Sequence, residues 1–327
     1  MKPYYEDEWV TLYLSDALSA LSELPDASVD CCVTSPPYFG LRAYSDDPAE
    51  IGRERTPTEY VENLRQVFAE VWRVLSDDGV LWLNLGDTWY SGRGNPGPGG
   101  FDKKNNARRG WERAVDVPGQ PWGRKKSLIG IPWRVAFALM DDGWVNRQEV
   151  IWAKRNCTPD PAADRPGRAH EQVFMLTKGR RYWFDAKAIR EESDPAQQAH
   201  NERYAKVYDA HTQRADRRQP GNQNSKGIHS RPGEPGRHPR SVWSISAQPF
   251  PGDHPATMPP GLAEKCVLSG CKPGGVVLDP FSGSGTTGMV ANKHGRRYVG
   301  IDLNEPYLRD SIAARFSQSR LDFEGAS

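Results

Sequence analysis

The chain has 327 residues, of which 37% are hydrophobic and 26% charged, and a formal net charge of +1. This is the composition of an ordinary globular protein with ample material for a core, one large α/β domain with an insertion or two modest domains. No run approaches the roughly 18 consecutive apolar residues of a membrane span, and the acidic start MKPYYEDEWVTLYL lacks the apolar stretch of a secretory signal.

In chain order, Val10 to Leu14 alternates as a short strand, and Ala17 to Leu24 repeats apolar residues at helical spacing. Val29 to Thr34 is a continuous apolar run, the mark of a buried parallel strand, and it stops at Ser35-Pro36-Pro37-Tyr38. Two prolines there can neither donate to a sheet nor continue a helix. Thr58 to Leu75 predicts an amphipathic helix, turned at Asp77-Asp78-Gly79 into the strand Val80 to Leu85. A Gly-, Pro- and Arg-rich stretch, 91–126, is too long for a routine connection and is expected to be a functional loop. Ile131 to Met140 predicts a helix, Trp144 to Ala153 and Glu171 to Thr177 predict strands, and the polar region 190–240 reads as an insertion. Order returns with a helix from Pro259 to Leu268, the strand Val276 to Leu278, a glycine loop, a helix through Ala291, the strand Tyr298 to Ile301 and a last helix. Strands alternating with helices predict an α/β fold built on a doubly wound, mostly parallel sheet.

Charge is unevenly spread. Residues 93–126 sum to +6 and residues 201–240 to +5, so the rest of the chain is acidic. Basic segments on an acidic body suit an enzyme that binds a polyanion, and Arg108, Arg109, Lys125, Lys126, Arg214, Arg217 and Arg218 are the candidate phosphate contacts. The five cysteines include no CxxC pair, and their odd number argues against a disulfide framework. They are expected to be small buried hydrophobes in a reducing compartment, and no metal is expected.

The loop Asp279-Pro280-Phe281-Ser282-Gly283-Ser284-Gly285-Thr286 lies between a strand and a helix, and Asp302 follows at the end of the next strand. Glycines let the backbone approach a ligand, the helix N-terminus offers N–H donors, and an acid at that place accepts ribose hydroxyls. NAD, FAD and S-adenosylmethionine all suit such a loop. NAD is disfavoured because a second mononucleotide half would have to follow, and a single strand does.

The tetrapeptide Ser35-Pro36-Pro37-Tyr38 sits at the carboxyl edge of a buried strand. An aromatic exocyclic amine is a poor nucleophile because its lone pair is delocalised into the ring. The Ser35 hydroxyl and the Pro36 carbonyl suit its two N–H groups and would turn the lone pair toward a methyl donor, while the Tyr38 ring would stack on an extruded base. No Pro-Cys nucleophile motif is present, which disfavours carbon-5 chemistry on cytosine.

Taken together, TSPPYFGLRAY, GVLWLNLGDTWY, WAKRNCTPDP, HPATMPPGLAEKCVLSGCKPGGVVLDPFSGSGTTG and VGIDLNEPYL resemble the β-class amino-methyltransferases of DNA, across most of the chain outside the basic segments. The resemblance implies S-adenosyl-L-methionine as cofactor and double-stranded DNA as partner, with the catalytic region (1–184) ahead of the cofactor region (243–327) and target recognition between them (185–242). It implies that Ser35, Pro36, Pro37 and Tyr38 handle the amine and base, and that Pro280, Phe281, Gly283, Gly285 and Thr286 line the cofactor. Asp279 and Thr257 would then lie at the methionine end, Asp302 at the ribose and Asp16 at the adenine. Serine at the first tetrapeptide position leans toward N4 of cytosine in that family, with N6 of adenine as the alternative. A cytoplasmic enzyme encoded by a bacterium or phage is expected, with a separate cognate restriction endonuclease as a further partner. A rival reading is a catalytically idle DNA-binding protein that kept the fold; retention of both Ser35 and the glycine loop speaks against it.

Overall fold

Val29–Thr34 (β3) and Val276–Asp279 (β8) lie side by side and parallel in the middle of one sheet. Cys31, Cys32, Val33, Val277 and Leu278 are fully buried. Helices cover both faces, which is why these strands read as unbroken apolar runs. Cys32, Leu81 and Leu83 join a core with the first three helices, whereas Cys31 and Trp82 face Gly270 on the opposite side. The computed structural model describes residues 1–41, 50–94, 113–157, 159–192, 236–248 and 257–316.

Among these residues the sheet has nine strands. Tyr5–Glu6 (β1) and Val10–Leu14 (β2) lead to Arg297–Asp302 (β9), then β8, β3 and Leu75–Leu85 (β4), and beyond them His170–Thr177 (β6), Val145–Lys154 (β5) and Val242–Ile245 (β7). The run from β2 to β4 is parallel, and β7 is parallel to β5. In contrast, β1 is antiparallel to β2, and β6 to both β4 and β5. The result is a mixed, mostly parallel α/β sheet.

The helices are Ala17–Glu23 (α1), Pro57–Val74 (α2), Ile131–Asp141 (α3), Pro260–Gly270 (α4), Thr286–Lys293 (α5) and Glu305–Ser311 (α6), which runs into a π-helical turn, Ile312–Phe316. In α2 the buried residues Tyr60, Leu64, Val67, Phe68, Val71 and Val74 recur at helical spacing, and Thr56 and Glu59 close a reciprocal capping box around Pro57. None of the described helices is long and apolar enough to cross a membrane.

The winding places the site. From β3 the chain passes through α2 to β4 on one side; from β8 it passes through α5 to β9 on the other. The adjacent strands β3 and β8 therefore mark the reversal, and ligands of such sheets bind beyond the carboxyl ends of the strands at that point.

Three details depart from expectation. The turn at Asp77-Asp78-Gly79 is a break in pairing within one strand, since the register of β4 on β3 steps from Leu75 to Val80. The short strands β1 and β7 were not anticipated. Four cysteines are buried, but Cys157 is exposed. By internal contacts the chain divides into two compact units, residues 1–184 with 241–327, and residues 185–240. The sheet and its helices belong to the first; within the second, the Glu191 carboxylate accepts from the Arg237 and Arg240 guanidinium groups.

Candidate active site

The ends of β3 and β8 are stitched together. Thr34 Oγ1 donates to Asp279 Oδ1 at 2.6 Å, and the Phe281 backbone N–H reaches the same oxygen at 3.1 Å. Asp302, at the end of β9, closes the glycine loop from the other side: its Oδ2 accepts from Gly283 N at 2.6 Å and its Oδ1 from Asn304 N at 2.8 Å. Burial pushes both carboxyls up to about 6. Gly285 adopts φ +69° as the N-cap of α5, and a Cβ there would come within 2.9 Å of Ser311. This is a conformation and a spacing that favour glycine.

Beyond these strand ends opens a cavity of about 990 Å³, lined by Asp16, Ser35, Pro36, Pro37, Tyr38, Thr257, Asp279, Pro280, Phe281, Gly283, Thr286 and Asp302. The volume is at the upper end of small-molecule sites. Gly285 shapes the loop between the lining residues Ser284 and Thr286, and a Cβ on it would meet Ser311 and Phe316. Asp16 has a second duty as the N-cap of α1, accepting from Ser19 N at 2.9 Å. Lys125 and Lys126 are exposed, and Lys126 pairs with Asp164 at 2.6 Å. Arg108, Arg109, Arg214, Arg217 and Arg218 lie outside the described residues.

The cavity also gathers residues outside the expected site set. Asn84 from β4, Trp152 and Lys154 from β5 and Glu171 from β6 line it beside the tetrapeptide. The Tyr38 ring rests against Gly86, where a Cβ would approach its Cε2 to 2.3 Å, so the glycine after Asn84-Leu85 makes room for that ring. The Tyr38 hydroxyl donates to Glu171 Oε2 at 2.6 Å and accepts from Asn84 Nδ2 at 2.9 Å. Lys154 Nζ donates to the other oxygen of Glu171 at 2.5 Å. Asp87 is a framework residue, since its carboxylate accepts from the Gly130 and Ile131 N–H groups and so caps α3 from another element. Asn84 did carry a signal: an amide in the otherwise apolar run from Val80 to Leu85, at 2% exposure, is expected to be hydrogen-bonded to something.

A family profile described as DNA methylase, the N6/N4 group, matches residues 29–314. The chain belongs to that family. Type II methyltransferase M.Cfr9I of Citrobacter freundii is 44% identical over 301 residues, covering 91% of this chain and 85% of the relative. Type II methyltransferase M.SmaI of Serratia marcescens is 41% identical over 299 residues, covering 90% and 87%. Among solved structures, the PvuII DNA methyltransferase (cytosine-N4-specific) superposes with a TM-score of 0.61 at 19% identity, over 96% of this chain and 89% of that one. A putative DNA modification methylase from Thermus thermophilus, solved with S-adenosyl-L-methionine, gives a TM-score of 0.54 at 23% identity, over 92% of each chain. These two likenesses confirm the Rossmann-like methyltransferase fold.

This DNA methylase takes its methyl group from S-adenosyl-L-methionine. The donor set of the cavity fits that molecule: carboxylates suit its ribose hydroxyls and ammonium group, and the half-buried Phe281 ring suits a flat, partly apolar ligand.

The two raised carboxyls make a prediction for the cofactor-free methylase. Asp279 moves from 3.8 to about 6 on folding, so between those values the folded state binds more protons than the unfolded one. Stability therefore falls as pH rises through that window and levels off above it. Relative to Asp279→Asn, which cannot titrate, the wild type should lose about 2 kcal/mol between pH 4 and pH 7. Thermal melting of both proteins across that range measures the difference; a gap that stays constant or widens in the wild type's favour would contradict the assignment.

Proposed function

We propose that the enzyme methylates N4 of cytosine in double-stranded DNA at a specific site, acting on a flipped-out base by direct attack. One observation carries the reading: Ser35, at the end of β3, shares a cavity with the Asp279 loop at the end of β8, where the winding of the sheet reverses. S-adenosyl-L-methionine supplies a methyl group already activated by its sulfonium. The chain's part is to hold the amine: Ser35 Oγ and the Pro36 carbonyl accept its two N–H groups, Pro37 makes the turn rigid, and Tyr38 stacks on the base. Asp302 takes the ribose hydroxyls and Asp16 the adenine. Pro280, Phe281, Gly283 and Thr286 line the donor, with Gly285 shaping the loop, and Asp279 and Thr257 hold the methionine end. Serine rather than an acidic residue before Pro36 supports cytosine. Target recognition is assigned to 185–242, and phosphate contact to the basic residues named above. The Type II relatives at 41–44% identity support a modification enzyme that works beside a separate restriction endonuclease.

The test is nucleoside mass spectrometry of sequence-diverse DNA treated with the enzyme and methyl-labelled cofactor. Label is expected in N4-methylcytosine and should appear about a hundredfold more slowly with Ser35→Ala. Label confined to N6-methyladenine would overturn the choice of base.

A further inference from the structure

Forming a carbon–nitrogen bond to an aromatic amine leaves that nitrogen with one proton too many, and a base must receive it. The Ser35 hydroxyl can hand a proton on but is far too weak a base to keep one. Beside it runs a chain of hydrogen bonds that ends on a carboxylate. Ser35 Oγ donates to the Tyr38 hydroxyl at 3.3 Å, and that hydroxyl donates to Glu171 Oε2 at 2.6 Å. The buried Asn84 amide clamps the chain, giving Nδ2 donors to the Tyr38 hydroxyl at 2.9 Å, to Glu171 Oε2 at 3.0 Å and toward Ser35 Oγ at 3.4 Å. Glu171, with its side chain 12% exposed, has its other oxygen held by Lys154, whose ammonium lies 4.6 Å from the centre of the Trp152 ring. Lys154 thus fixes one oxygen of Glu171 and leaves the other to the Tyr38 hydroxyl.

We propose that Glu171 is the terminal proton acceptor of the reaction, reached from the target amine through the Ser35 hydroxyl and the Tyr38 phenol, with Lys154 holding its other oxygen in place. As the carbon–nitrogen bond forms, the methyl carbon's bond to the sulfonium sulfur breaks with its electron pair left on sulfur, and the amine N–H bond breaks. Ser35 takes that proton and passes its own to Tyr38, and Tyr38 passes its own to Glu171 Oε2. Both hydroxyls end unchanged, and the carboxylate ends protonated, facing a cavity through which it returns the proton to water. The long step is the 3.3 Å between Ser35 and Tyr38, and such contacts tighten when substrate fills a site. The relay rests on the assignment of Ser35 to the amine.

The groups facing Glu171 are Lys154 from β5, Tyr38 from the turn after β3 and the neutral Asn84 from β4. Of the other charges nearby, Asp87 is paired with Arg168 at 3.8 Å, Asp279 is turned to Thr34, and His170 on the same strand is exposed.

The experiment is single-turnover methylation as a function of pH for wild type, Glu171→Gln, Tyr38→Phe and Lys154→Met. Cofactor affinity by calorimetry and base extrusion by 2-aminopurine fluorescence are followed beside it. Glu171→Gln should slow methylation roughly a hundredfold, keep both binding readouts, and lose the acid limb of the wild-type profile. Tyr38→Phe, which removes one hydroxyl and keeps the ring, should reproduce the slowing. Lys154→Met, which releases the Glu171 oxygen turned away from Tyr38, should slow methylation as well, with both binding readouts kept. A Glu171→Gln rate within threefold of wild type, or an acid limb that survives it, overturns the proposal. Ser35→Ala in the same series separates the two claims. If it is fast, the role of Ser35 falls and the relay with it; if it is slow while Glu171→Gln is fast, the relay alone falls.

Discussion

Ser35→Ala should lower the single-turnover methylation rate by about two orders of magnitude while leaving the affinity for S-adenosyl-L-methionine within about twofold. The size follows from removing one preorganised hydrogen-bonding group at the reacting atom, an effect of roughly 10²–10³ in other active sites. The Pro36 carbonyl is backbone and survives the change, so the amine keeps one acceptor and the rate does not fall to that of the uncatalysed reaction. The fold should survive as well. In the free enzyme Ser35 Oγ makes contacts of 3.3 and 3.4 Å, to Tyr38 and Asn84, longer than strong hydroxyl hydrogen bonds, so their loss costs little stability. Rapid-quench measurement with calorimetry on the same preparation checks both halves, and a rate within threefold of wild type would remove Ser35 from the amine.

Asp302→Ala should weaken cofactor binding about a hundredfold or more. A hydrogen bond to a charged group contributes roughly 1.5–3 kcal/mol, and a carboxylate that receives two ribose hydroxyls offers two of them. The same side chain holds Gly283 N and Asn304 N, so its loss also frees the glycine loop that must close on the ligand. Asp302→Asn retains one acceptor oxygen and should fall between wild type and alanine. Since burial pushes this carboxyl up to about 6 in the free enzyme, cofactor affinity should decline as pH falls below that value and the acceptor becomes protonated. Calorimetry across pH 5–8 measures all three; an unchanged affinity in Asp302→Ala would place the ribose elsewhere.

Much of the architecture is written in short stretches of chain. The continuous apolar runs of β3 and β8 announce strands covered on both faces, and the Thr56–Glu59 capping box marks the start of α2. Prolines and glycines after those runs mark where the backbone must turn sharply or adopt positive φ. These signals are local, because steric limits and helix-end hydrogen bonds involve neighbours a few residues apart, and they sufficed to foresee the α/β fold and the family. Strand direction was not among them: the side-chain period of a strand is two whichever way it runs, so the antiparallel placement of β6 between β4 and β5 could not be read from Glu171 to Thr177.

What the sequence by itself determined is the set of contiguous motifs: a Ser-Pro-Pro-Tyr turn from Ser35 after a buried strand, a glycine loop from Asp279, and an acid at Asp302. What only the tertiary structure decided is the company those motifs keep. Glu171 reads in the chain as one charged residue on an alternating strand, most simply a solvated position. Its burial is permitted because partners 17, 87 and 133 residues away, Lys154, Asn84 and Tyr38, arrive on three other elements. A charge can leave water when a counter-charge and donors meet it, and which residues meet is a property of strand order, which no local pattern encodes.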